Sequence, residues 1–133
     1  MKDDERGFSL IEILLAVTII GLVAAAAVPK AAHVLAVSRT QRVVSDLQTL
    51  DAAVIMYETE HGKQPEGTDI SALSDYVRNV DKVKPPTGST VIVGASEEEV
   101  KATAYALTKK EKEGVRATLD AHTAEDFMAG GTK

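Results

Sequence analysis

The chain has no cysteine and no tryptophan, and aromatic side chains make up only 4% of its 133 residues. Without cysteine there is no disulfide framework, no thiolate metal site and no thiol redox chemistry, although the compartment stays open because exported proteins can fold without bridges. The aromatics, Phe8, Tyr57, Tyr76, Tyr105 and Phe127, are dispersed, which suits filling a core or an interface better than stacking into a run of rings. A basic surface is missing too. The net charge is −5 and Lys and Arg are interleaved with Asp and Glu, so no stripe can neutralise a phosphate backbone and no nucleic-acid site is readable. His33, His61 and His122 do not stand at ligand spacing, and Asp120, Glu125 and Asp126 lack the glycine-punctuated loop that would make them a calcium site, so no metal is expected. Glu97, Glu98 and Glu99 read as a solvated or helix-capping run. With no Ser-His-Asp logic, no phosphate-cradling glycine loop and no paired buried carboxylates, the reading is a protein that is not an enzyme and needs no cofactor.

What is present is concentrated at one end. Hydrophobic residues are 44% of the chain, and much of the Ile, Leu and Val falls between Phe8 and Val28, where Glu12 is the single ionisable residue. At about 1.5 Å per helical residue that run spans roughly 30 Å, one hydrocarbon core, and predicts a transmembrane helix. The leader Met1 to Gly7 is short, polar and mixed in charge. A secretory signal would instead be cut after its apolar core, which Ala24 to Ala27 could mimic. Lys2 and Arg6 on one side face Lys30, Arg39 and Arg42 on the other, so the positive-inside count leaves the orientation undecided.

An acid in an apolar helix costs a few kcal/mol or more unless it is protonated or paired, so Glu12 needs compensation. It lies four residues after Phe8. In a chain beginning at Phe8 its carboxylate would sit one turn from a free α-amine and beside the positive end of the helix dipole. The amine of an assembling neighbour would serve equally, and the plainer alternative is a Glu that snorkels to the interface.

Gly7-Phe8-Ser9-Leu10-Ile11-Glu12, the unbroken apolar stretch after it and Pro29 together resemble the class III signal of type IV prepilins and the related pseudopilins. The resemblance implies that a prepilin peptidase cleaves after Gly7 and methylates the new amine of Phe8, and that Glu12 pairs with a neighbouring subunit's terminus. It implies a structural subunit of a pilus-like filament, assembled from an inner-membrane pool. The partners would be other copies of itself in a helical homopolymer, the peptidase, and an inner-membrane assembly platform with its motor. A pseudopilin of a type II secretion or DNA-uptake system is the alternative, and a single-pass anchored binding module that never polymerises is a second. The match is strongest over residues 7–29. The head offers neither the cysteine pair common in Gram-negative pilins nor an Asp-Pro-Trp-like loop of the kind that accompanies calcium in major pseudopilins.

Gly21 and Pro29 weaken the first helix, because Gly costs about 1 kcal/mol against Ala and Pro removes a backbone bond, so a kink or local unwinding is expected there. After Pro29 the pattern turns amphipathic: Val37, Val44, Leu47, Val54 and Tyr57 recur at helical spacing, with Arg39, Arg42, Asp46, Asp51 and Glu58 on other faces. The helix should continue to about Glu60, where His61-Gly62 and Gln64-Pro65 end it. Asp69 then caps a helix from Ile70 to about Val80, and Lys84 to Gly88 closes it. A strand is expected at Thr90 to Gly94, and a hairpin from about Thr103 to Lys109 and Val115 to Ala121. Ser96-Glu97-Glu98-Glu99 is also a helix-start signal that would shorten the middle strand. A last short helix covers Thr123 to Ala129, with a frayed tail beyond. The chain therefore reads as α+β, with a leader at 1–7, a hydrophobic half-helix at 8–29, an amphipathic half-helix at 30–62 packed on a small antiparallel sheet, and a small globular head at 63–133.

Overall fold

The computed structural model describes residues 7–129; the leader up to residue 6 and the tail expected to fray lie outside the described residues. One helix, α1, runs Leu10–His61 with Pro29 inside it. It is followed by two 3-10 turns at Ile70–Leu73 and Val80–Lys82, strands β1 (Thr90–Val93), β2 (Ser96–Glu99), β3 (Ala106–Lys110) and β4 (Gly114–Thr118), and a short helix α2 at Ala124–Met128. The chain divides into two units, Met1–Leu35 and Ala36–Lys133.

In the first unit the described residues from Leu10 onward are helical and solvent-exposed, including Ile11, Leu14, Ile20 and Leu22. Thr18, the hydroxyl in this apolar run, donates to the Leu14 carbonyl at 2.8 Å, so its polar atom is satisfied within the helix. The helix runs through both Gly21 and Pro29, where a kink or local unwinding is expected. Pro29 has no N–H to give the Ala25 carbonyl, but Ala24 to Ala27 are the best helix formers and hold the turn before it.

In the second unit, one stripe of α1 enters the core: Ala36, Thr40, Val43, Leu47, Leu50, Ala53 and Val54 are buried. Val37, Val44 and Tyr57, expected at the centre of that stripe, lie at its half-buried margin. The stripe is rotated because two acids face the head. Asp46 accepts a hydrogen bond from the Tyr105 hydroxyl at 2.8 Å, and Asp51 takes the Arg116 guanidinium and the Ala117 N–H. The opposite face of the same turns, Ser45, Gln48, Thr49, Ala52, Ile55 and Met56, is exposed and carries no charge. Against the buried stripe pack Leu73, Val77, Val91, Val100, Leu107, Leu119 and Phe127.

The expected helix from Ile70 to Val80 is instead two 3-10 turns joined by turns. Asp69 does cap it, accepting the Ser71 N–H, but Asn79 takes a left-handed conformation (φ 55°) that interrupts any helix before Val80. Residues 96–99 are a strand rather than a helix start. Gly94 (φ 60°) and Ala95 form a two-residue turn, and β2 returns antiparallel along β1 with Val93 opposite Ser96 and Thr90 opposite Glu99. β3 and β4 pair antiparallel from Ala106 opposite Thr118 to Lys110 opposite Gly114. The single small sheet expected is thus two separate two-stranded sheets. One outward N–H on each of β1, β3 and β4 is taken by another part of the chain. The Ile92 N–H on β1 donates to Thr40 Oγ1 (2.8 Å), the Ala117 N–H on β4 to Asp51 Oδ1 (2.7 Å), and the Leu107 N–H on β3 to the Thr68 carbonyl (2.8 Å). β2 bears the exposed Glu97, Glu98 and Glu99.

Candidate functional site

Ser9, Leu10, Ile11 and Glu12 have the residue types of a capping box, a hydroxyl residue with a Glu three positions on, and they form one. The Ser9 N–H donates to Glu12 Oε2 at 2.7 Å, and the Glu12 N–H reaches back to Ser9 Oγ at 3.3 Å. The first carbonyl drawn into the helix is that of Ser9, which accepts the N–H groups of Glu12 (3.1 Å) and Ile13 (3.2 Å). Ser9 is therefore the N-cap. Gly7 and Phe8 precede it outside any helix, and Phe8 is 85% exposed. The carboxylate of Glu12 is thereby held at the helix start, where the unpaired N–H groups of the first turn favour negative charge.

Of the residues singled out from sequence, the structure brings Glu12 to the N-terminal backbone beside Phe8, through Ser9. Ser9 itself was missed, although the Ser-x-x-Glu spacing announces it. Gly21 and Pro29 lie farther along α1, and a Cβ added at Gly21 would meet nothing within 4 Å. The helix that begins at Leu10 contains an exposed apolar stretch long enough to cross a membrane.

The acids of the head have separate tasks. The two carboxylate oxygens of Asp120 accept the N–H groups of Lys101 (2.9 Å) and Ala102 (3.0 Å). Glu125 pairs with Arg116 at 2.7 Å, and Arg116 also reaches Asp51 (2.9 Å) and Glu113 (3.1 Å), tying α1, the β3–β4 hairpin and α2 together. Hydrogen bonding from Arg116 first, then from backbone, holds Glu125 below its ordinary value. Asp126 completes a second capping box with Thr123, whose backbone N–H is the main reason its carboxyl is depressed. At the end of α1, Tyr57 stacks on His61 with centroids 4.2 Å apart, and Tyr76 meets both edge-on while its hydroxyl donates to Glu60. That hydrogen bond, more than burial, pushes the Tyr76 phenol up to about 12.

A family model described as the prokaryotic N-terminal methylation motif matches residues 2–28. The type II secretion system core protein G of Klebsiella michiganensis is 33% identical over 64 residues, 48% of this chain and 45% of that protein. The protein of the same name from Klebsiella pneumoniae is 36% identical over 61 residues, 46% of this chain and 44% of that protein. The chain thus spans less than half the length of these two relatives. The type IV major pilin protein PilE1 of Neisseria gonorrhoeae is 24% identical over 122 residues, 86% of this chain and 74% of that protein. No solved structure matches the chain at a comparable level.

Proposed function

We propose that this pilin-like chain, which carries the N-terminal methylation motif and is related to a type IV pilin and to type II secretion core protein G, is the structural subunit of a pilus-like filament. Its leader is removed after Gly7, Phe8 becomes the methylated first residue, and the apolar part of α1 leaves the membrane to pack among its copies. The observation that carries the reading is the motif at residues 2–28 followed at once by an exposed apolar helix, because such a surface must be covered by lipid or by protein. Lipid covers it in the precursor pool, anchored in the inner membrane, and other copies cover it in the filament, where helix packing and the compensation of Glu12 drive association. The peptidase, an assembly platform and a motor are the further partners. Gly21 and Pro29 mark where α1 can give up helical order on packing, since each weakens the helix locally.

Both a pilin and a secretion-system protein are among the relatives, so two forms of the filament follow. The match to the pilin covers 86% of this chain and the match to core protein G 48%, which favours the pilin form. Intact mass and terminal sequencing of protein from its native cells should give a start at Phe8 bearing one extra methyl group. A start at Met1, as an anchored module would have, or near Val28, as a secreted head would have, removes the proposal. Recovery in the sheared surface fraction then marks a pilus, and a pool confined to the envelope marks a pseudopilus.

A further inference from the structure

A peptide bond inside a helix is a poor protease substrate, because its carbonyl is already engaged and its backbone is not extended; nicking concentrates in open, weakly protected segments. In this chain the Gly7–Phe8 bond lies just outside α1, and the first carbonyl committed to the helix is that of Ser9. The helix has a competing place to start. By residue type Asp4 could also cap a helix and Glu5 and Arg6 are good helix formers, so a helix begun there, which would enclose the Gly7–Phe8 bond, is opposed by Gly7 and by the weaker helix formers Phe8 and Ser9. The Ser9–Glu12 box stands at the observed start.

We propose that Ser9 is a positioning residue for leader removal. Its hydroxyl, accepting the Glu12 N–H, fixes the helix start so that the Gly7–Phe8 bond stays in open backbone for the peptidase. Water then adds across that bond, leaving a carboxylate on Gly7 and an amine on Phe8. The inference rests on the reading that the leader is cut after Gly7, for which the motif match at residues 2–28 is support independent of the hydrogen bonds. Ser9 acts through the helix boundary rather than by touching the enzyme.

The test uses the full chain in detergent with a prepilin peptidase. Ser9→Ala removes the hydroxyl half of the cap and should lower kcat/KM for cleavage measurably, by at most about fivefold, the full shift from losing a typical N-cap. Ser9→Asn and Ser9→Thr keep a capping oxygen and should be cut at close to the wild-type rate. In the same micelles the backbone 13C shifts of Gly7 and Phe8 should move toward helical values in Ser9→Ala and stay put in Ser9→Asn. Cleavage of Ser9→Ala at the wild-type rate overturns the inference, as do unmoved shifts. Slow cleavage of Ser9→Asn also overturns it, since the enzyme would then be reading the serine directly. Failure of the wild-type chain to be cut after Gly7 is a different result and removes the functional reading underneath.

Discussion

Glu12 has two attachments, and they can be separated by mutation. Its backbone N–H bonds Ser9 Oγ whatever the side chain, while its carboxylate alone bonds the Ser9 N–H. Glu12→Ala should therefore keep the hydroxyl half of the cap, and with it most of leader removal, but lose the carboxylate proposed to meet a terminal amine. The expected result is a processed subunit that fails to form filaments, checked by terminal sequencing beside electron microscopy of the sheared fraction; normal filaments would end the pairing argument. A second residue-level outcome concerns strain. Asp120 (φ 49°) and Ala121 (φ 71°) form the left-handed turn between Leu119 and His122, whose N–H and C=O groups bond each other at 2.9 Å. A left-handed residue with a Cβ costs roughly 1–2 kcal/mol, so Ala121→Gly should stabilise the head by about 1 kcal/mol in urea unfolding followed by tyrosine fluorescence. Asp120→Gly should bring no such gain, because its carboxylate holds the Lys101 and Ala102 N–H groups.

Among the elements, α1 supplies the deepest part of the core. Leu50 is fully buried among Val43, Leu47 and Val54 and the head side chains. Leu50→Ala should cost about 2–5 kcal/mol, read from the urea midpoint, while Gln48→Ala on the exposed face should change little. How far the sequence announced these elements follows from how local their causes are. The long helix, its end before Gly62, the cap at Asp69, the last hairpin and the final short helix each rest on a signal within a few residues, and the structure has them within a few residues of the expected bounds. The 70–82 segment was misread because an apolar stripe at Leu73, Tyr76, Val77 and Val80 suits a helix and two 3-10 turns alike, and Asn79 decided between them. Glu97 to Glu99 were left open between strand and helix start because Glu favours helices, and Gly94-Ala95 settles it by turning the chain back onto β1. The facing of Asp46 and Asp51 toward the head was not legible at all, since their partners Tyr105 and Arg116 are 59 and 65 residues away. At the N-terminus the motif residues were readable, and the role of Ser9 as their organiser was not drawn from them.

For the whole molecule, acid is the informative perturbation. Glu125 and Asp126 both have folded values below their ordinary 4.5 and 3.8, so the stabilisation each gives is complete above those values and is lost as pH falls through the depressed ones. Head stability should hold from neutral pH to about 5 and then decline. Arg116→Gln should flatten the part of that decline due to Glu125, in urea midpoints measured across the acid range. The manner in which copies can join is a further property of the whole. The outward N–H groups of Ile92, Leu107 and Ala117 are already taken by Thr40, Thr68 and Asp51, and β2 presents like charges along its length. In the proposed filament, neighbouring heads would meet strands with those donors already occupied. Edge-to-edge pairing of folded heads is thereby disfavoured at those positions, and a store of the folded protein should stay free of amyloid dyes as its concentration is raised.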